Sequence, residues 1–142
     1  MPGLVIPLLL ADLEIGALTI RAEARGETLE GQVAVAHVII NRVKARHRRE
    51  STISGVCLEP LQFSAWNLDD PNRAKMGETP WSDDTLLLAL AALLRAIDED
   101  RRGIDPTEGA LHYHTKNARP RWSRGIKPTV VIGHHQFYAG IP

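Results

Sequence analysis

Apolar-rich stretches alternate along the chain with breaks at glycine and proline, and the spacing of the apolar positions changes after Gly103 and Pro106. In the first stretch Leu13, Ala17 and Ile20 recur at helical spacing and predict a first helix with these residues on its core face. Asp12 is its expected N-cap, with Glu14 in the first turn, where a negative charge suits the helix dipole. Gly26 is a natural stop, because glycine takes a left-handed backbone without steric cost. Thr28 then caps a second helix and Glu30 sits in its first turn. Leu29, Val33, Ala36, Ile40 and Val43 keep the helical period while Val35, Val38 and Ile39 are apolar on the other side. A helix apolar almost all round is a central, buried one.

Gly55, Pro60, Pro71, Gly77 and Pro80 punctuate the next segment. They predict a short helix near residues 51–57 and then a long loop carrying Gln62, Phe63, Ser64 and Trp66. Loops of this length in compact domains are often functional. Ser82 with Asp83 and Asp84 starts a third long helix from Leu86 to Asp98, whose leucines on nearly every side imply burial. Beyond Pro106 the period shortens to that of strands. Residues 110–115 (ALHYHT) place His112 and His114 on one face and Leu111 and Tyr113 on the other, and residues 129–132 and 135–138 are expected to pair with them around Gly133. The sum is an α+β class, a mainly helical body with a small antiparallel sheet from the C-terminal third, organised as one domain over residues 1–142.

Composition narrows this picture rather than changing it. Seventeen basic and seventeen acidic residues cancel, so no bulk attraction to nucleic acid or membrane is expected. Residues 42–50 (RVKARHRRE) concentrate five Lys or Arg and read as a solvated helix end and loop, with basic residues suited to the last helical turn. Cys57 is the sole cysteine, which excludes an intrachain disulfide and reads as a small buried hydrophobe. The apolar run from Val5 to Ala11 is short, contains Pro7 and has no Lys or Arg ahead of it, unlike a secretory signal. The expectation is synthesis in the cytoplasm without a signal peptide, no stable membrane insertion, and a monomer.

Glu23 is the first candidate for chemistry. It closes the first helix, beside the Gly26 turn and ahead of the buried second helix, where apolar neighbours disfavour the ionised carboxyl and favour a protonated one near neutral pH. That is the property of a general acid. Glu27 is the runner-up, although it and Glu30 read better as dipole-compensating and capping groups.

Several separate segments then share one likeness. Residues 22–43 (AEARGETLEGQVAVAHVIINRV) resemble the signature of the spore cortex-lytic enzyme family of cell wall hydrolases, in which a Glu-Ala-Arg-Gly-Glu turn precedes a Gly-Gln-Val-Ala-Val helix ending in Asn-Arg-Val. Ser54 to Cys57, Glu59-Pro60 and Gln62-Phe63-Ser64 resemble its middle segment. Asp105-Pro106-Thr107, residues 110–114 and residues 132–138 (IGHHQFY) resemble its closing strands. The resemblance implies a lysozyme-like fold and cleavage of the bond between N-acetylmuramic acid and N-acetylglucosamine in peptidoglycan. It further implies a lytic transglycosylase with one glutamate, corresponding to Glu23, and neither cofactor nor metal. Without a signal or an appended wall-binding domain, the chain is similar to a phage endolysin or virion lysin, reaching peptidoglycan through a holin or a virion.

Such chemistry needs an acid for the leaving oxygen and a groove for sugars, whose apolar faces meet aromatics and whose hydroxyls meet amides. Gln62, Ser64, Trp66, His112 and Tyr113 are the candidate substrate contacts, with Gln32 and Arg25 near the Glu23 turn. Core packing is the competing role for Trp66 and Tyr113, and the expected one for Phe63. Asn41 and Arg42 are expected to bind loop carbonyls. The competing functions are a zinc-dependent amidase or peptidase built on His112, His114, His134 and His135, and a noncatalytic wall-binding module. No His-Glu-x-x-His pattern supports the first, and the second leaves the buried acid unexplained. Cys57, between Val56 and Leu58, lies in too apolar a setting for a thiolate nucleophile.

Overall fold

The computed structural model describes residues 8–141 except Leu61 and Asn72, so the apolar run that begins at Val5 lies partly outside the described residues. Five helices come first: α1 (Leu10–Ala24), α2 (Leu29–Lys44), α3 (Ile53–Leu58), α4 (Arg73–Met76) and α5 (Asp84–Arg101). Three strands follow: β1 (His112–Thr115), β2 (Val130–Ile132) and β3 (His135–Tyr138). They form one antiparallel sheet in the order β1-β3-β2, with Phe137 opposite both Tyr113 and Val130.

Helix α2 is the core. Every residue from Gly31 to Val43 is buried, as its two-sided apolar pattern predicts. Thr28 caps it, its hydroxyl accepting the Gly31 N–H at 3.3 Å, and Gly26 turns the chain with φ of 87°. Three buried polar residues anchor α2 to its surroundings. His37 hydrogen-bonds Glu99 Oε1 on α5 at 3.0 Å. Asn41 donates to Asp105 Oδ2 at 2.8 Å and to the Ala110 carbonyl at 3.0 Å, and Arg42 Nε donates to the Leu111 carbonyl at 2.8 Å. The last two tie the core helix to the segment that enters β1.

Four details depart from the sequence-based expectations. Asp12 is not the cap of α1, which begins at Leu10. Its buried carboxylate instead accepts the Leu9 N–H at 3.1 Å and, across to α3, the Ser54 N–H and hydroxyl at 3.0 and 2.7 Å. The long loop is partly ordered, by a 3₁₀ turn over Ser64–Trp66 and by α4. Helix α5 is buried on one side only. Leu86 and Leu93 face the core, whereas Leu87, Leu88 and Leu94 are 41–47% exposed, because only one flank of the helix meets α1 and α2. Arg42 is no solvated end residue but is buried in the core.

The Asp12 clamp generates a test. Burial alone raises its pKa, but the Ser54 and Leu9 bonds bring it below the ordinary aspartate value. Asp12→Ala strands the Ser54 and Leu9 donors and should cost about 1–3 kcal/mol near neutral pH. The stabilisation from ionised Asp12 is complete above the unfolded-state pKa and disappears as pH falls through the depressed folded-state pKa. Denaturant midpoints of both proteins against pH should therefore converge in acid.

Candidate active site

Glu23 lies in the last turn of α1, where the helix ends against the Gly26 turn. Its Oε1 accepts a short hydrogen bond from the hydroxyl of Tyr113, which β1 delivers from the far end of the chain. Burial pushes the Glu23 pKa up from its ordinary value, opposed by the Tyr113 bond and by the positive charge of Arg42. Burial and the neighbouring Glu23 drive the Tyr113 phenol far above its ordinary range, so it stays a proton donor. Arg42 itself is held beneath the site by the Leu111 carbonyl, with its guanidinium 5.4 Å from the Phe63 ring centre.

The carboxyl opens on a cleft of about 300 Å³. The α1 side of it is formed by Arg21, Ala22 and Arg25, and the facing side by Ser64, Ala65 and Asp70. Lys75, Met76 and Thr79 close the end. A carboxyl of raised pKa at the wall of an open, polar cleft has the chemistry to give a proton to a bound group and take one back.

Of the residues singled out from the sequence, Glu23, Ser64 and Arg25 share this cleft and Tyr113 touches its acid. The structure places the others elsewhere. Trp66 donates its indole N–H to Thr19 Oγ1 at 2.8 Å and packs against the core. Its free edge lines a separate pocket with Leu58, Pro60, Leu68 and Arg73. Gln32 is buried, with its amide nitrogen 3.2 Å from the Glu27 carbonyl oxygen that accepts its hydrogen bond. Gln62 hydrogen-bonds the His47 side chain. His112 projects from the opposite face of β1 to Tyr113, its ring centre 5.5 Å from that of His47 and 5.4 Å from that of Trp122. Arg21, Asp70, Lys75 and Thr79 were not legible as cleft residues, since tertiary contacts alone bring the 64–79 segment against α1.

Glu27 has a different setting from Glu23. Its carboxylate, 7% exposed, accepts the His134 N–H at 2.8 Å, contacts His134 Nδ1 at 2.8 Å and stands 3.1 Å from His135 Nδ1. Gly133 makes this approach possible, because a Cβ there would stand 3.0 Å from Glu27 Oε1. Burial raises the Glu27 pKa, but the His134 bonds and both imidazoles bring it below the ordinary value. Glu27 thus fastens the β2–β3 hairpin to the α1–α2 turn. His135, held at this clasp, packs its ring edge on Tyr113 with centres 5.1 Å apart.

The histidines of the alternative zinc site do not converge. His112 and His114 face Trp122 on one side of the sheet, while His134 and His135 turn to Glu27. No group of three or more His, Cys, Asp or Glu among the described residues is placed to hold a metal ion. Burial pushes the Cys57 thiol up to about 12.

A helical body with a small three-stranded antiparallel sheet defines the class of architecture as the lysozyme-like fold. The chain belongs to the cell wall hydrolase family, whose sequence profile matches residues 26–138, just after Glu23. It is 37% identical over 127 residues to the spore cortex-lytic enzyme of Bacillus subtilis, an alignment covering 89% of this chain and 37% of that protein. The counterpart from Halalkalibacterium halodurans is 37% identical over 130 residues, covering 89% of this chain and 34% of its own. The chain thus spans a little over a third of the length of these relatives. The catalytic domain of the germination-specific lytic transglycosylase SleB from Bacillus anthracis superposes with a TM-score of 0.73 at 34% identity, over 94% of this chain and all of that one. The SleB catalytic domain of Bacillus cereus gives 0.75 at 34% identity, over 96% and 95%.

The Glu27 clasp is testable without substrate. Glu27→Ala should leave helical circular dichroism intact while speeding amide exchange across residues 130–138, the His134 amide most. Unchanged protection there would mean that the hairpin is held by other contacts.

Proposed function

We propose that this chain degrades peptidoglycan as a lytic transglycosylase, cleaving the β-1,4 bond between N-acetylmuramic acid and N-acetylglucosamine with Glu23 as its single acid and base. The observation that carries the reading is the Glu23 carboxyl, raised in pKa by burial, bonded by Tyr113 and open to a cleft. Likeness to a catalytic domain that is itself a lytic transglycosylase supports it.

In this reading Tyr113 occupies Oε1, so the acidic proton sits on Oε2. Glu23 transfers that proton to the glycosidic oxygen as the bond to the muramic C1 breaks and oxocarbenium character develops. The ionised Glu23, now steadied by the Tyr113 hydroxyl and the Arg42 charge, takes the proton of the muramic C6 hydroxyl. That oxygen closes on C1 to give a 1,6-anhydro product, and no water is consumed. Ser64 and the basic side chains of Arg21, Arg25 and Lys75 line the path of the glycan. Gln62, Trp66 and His112, placed outside the acid's cleft, would act as substrate contacts only for sugars bound beyond it, and Gln32, buried against the Glu27 carbonyl, would support the turn rather than touch sugar.

Asp70 on the facing side of the cleft favours one second reading, an ordinary muramidase in which a second carboxylate assists attack by water. Products decide between the two. Mass spectrometry of digested sacculi should show anhydro-muramic ends, lighter by one water than hydrolysed ends, and Asp70→Asn should retain them. Reducing ends that vanish in Asp70→Asn would establish the muramidase.

Two variants test the acid. Glu23→Gln should abolish turbidity clearing while raising thermal stability above the unfolded-state glutamate pKa. A raised folded-state pKa means the native protein holds its proton longer than the unfolded chain, so stability falls as pH rises through that interval. Replacing the carboxyl removes this loss. Tyr113→Phe removes a bond that lowers the Glu23 pKa, so the alkaline limb of the rate profile should move to higher pH with a reduced rate. An unmoved limb would detach Tyr113 from the acid.

No helix of the described residues is long and apolar enough to cross a membrane. An endolysin role for the chain adds a delivery partner, a holin or a virion. Expressed in the bacterial cytoplasm, the protein should lyse cells only when a holin is supplied with it, and lysis without one would remove that part of the proposal.

A further inference from the structure

From Gly109 onward the sequence contains no aspartate or glutamate, while Lys116, Arg119, Arg121, Arg124 and Lys127 supply five positive charges. In a chain whose charges cancel, this is a strong segregation, and the preceding residues hold all the acid. Among the described residues none of the five is paired with a carboxylate. Lys116, Arg119 and Arg124 converge on a pocket of about 450 Å³, walled also by Ser123, on the outer side of the sheet.

The floor of this pocket is built rather than incidental. The Tyr138 hydroxyl is 2.8 Å from His114 Nε2 and donates to Gln136 Oε1 at 3.1 Å. Trp122 braces it from the side, its ring centre 5.2 Å from Tyr138 and 5.7 Å from His114. Three cations gathered over a fixed polar floor repel one another, and an anion between them relieves that repulsion. Guanidinium forks match the two oxygens of a carboxylate or phosphate.

We propose that this pocket binds the carboxylate groups of peptidoglycan stem peptides and so holds the wall beside the acid. The proposal rests on peptidoglycan as the substrate, since that polymer brings a carboxylate ligand covalently attached to the glycan being cut. Successive residues of a strand face opposite ways. Thus β1 presents Tyr113 to Glu23 on one side of the sheet and His114 to the pocket on the other. One rigid strand links glycan cleavage to stem capture, and a crosslinked mesh offers stems on both sides.

The test separates binding from turnover. Glu23→Gln protein is sedimented with purified sacculi freed of teichoic acid, with the same sacculi after their stem carboxylates are converted to neutral amides by carbodiimide and ammonia, and with walls retaining teichoic acid. An Arg119→Glu/Arg124→Glu version of it is run in parallel, and both altered positions are exposed. Binding to intact sacculi should fall about tenfold on carboxylate amidation or charge reversal and weaken with salt. Equal retention on amidated sacculi, or equal retention of the reversed variant, overturns the proposal. Binding that follows teichoic acid instead of stems also overturns it and reassigns the pocket to phosphodiesters. Because Glu23→Gln has no turnover, a lack of anhydro products in the active protein would sink the cleavage reading alone. Circular dichroism of the reversed variant, expected unchanged, guards against misfolding.

Discussion

The complete burial of α2 is the constraint from which the rest of the molecule follows. A helix with no solvent-facing side from Gly31 to Val43 must be covered on all sides, so α1, α3, α5 and the sheet are arranged around it. Leaving polar groups unbonded at that depth carries a penalty of a few kcal/mol each. Each of its buried polar side chains reaches at least one specific partner, although Gln32 Oε1, His37 Nδ1 and Arg42 Nη1 have no hydrogen-bond partner among the described residues. Asn41 and Arg42 find theirs in the carbonyls of Ala110 and Leu111, just ahead of β1. This fixes where β1 begins, and the alternation of a strand then determines that Tyr113 faces inward. The contact between Tyr113 and Glu23, ninety residues apart, is in this sense a consequence of satisfying two buried side chains on the helix between them.

Much of the frame was legible in the sequence because it rests on periodicity. The two-sided apolar pattern of α2, the Thr28 cap, the Gly26 turn and the alternation around Tyr113 each have a local cause, and each appears as expected. Glu23 was legible as a desolvated carboxyl for the same reason, as a helix-end residue beside the buried second helix. The misreadings share a different cause. An aspartate near a helix start looks the same whether it caps its own helix or, like Asp12, reaches across to Ser54. A leucine-rich helix looks buried all round unless one knows how many neighbours it has, and α5 has neighbours on one flank only. Trp66, for which the sequence left both a sugar contact and core packing open, bonds Thr19 through its indole N–H while its other edge lines a pocket. The cleft wall opposite α1 carries no periodic signal, because a loop and a single-turn helix form it.

The sheet is small for the work its two faces do. Its inner side carries Tyr113, His135 and Phe137 in mutual ring contact, which positions the phenol against the acid. Its outer side carries His112, His114 and Tyr138 against Trp122. A three-stranded sheet is stable once one face packs on a core, which the helical body supplies here, and the 3₁₀ turn at Arg121–Ser123 adds Trp122 against the other face. The clasp of Glu27 on the hairpin holds the inner arrangement in register with the helix end, since the hairpin turn is where the sheet would first lift away.

Two glutamates at one turn show how environment assigns roles. Glu23 and Glu27 both lose water on folding, and for both that loss is the largest effect on the carboxyl. Glu27 is compensated by a backbone N–H and two imidazoles, which outweigh burial and keep it ionised. Glu23 receives one phenolic hydroxyl and a guanidinium at a distance, which do not, so its pKa stays raised. Had the partners been exchanged, burial would prevail at Glu27 and the bonded donors at Glu23, and the two pKa directions would reverse. In the proposed function the two opposite shifts divide the pair, with Glu27 as the clasp and Glu23 as the acid. The donors that separate them here come from the closing strands, so the helix-turn-helix segment cannot make this distinction before the sheet has docked.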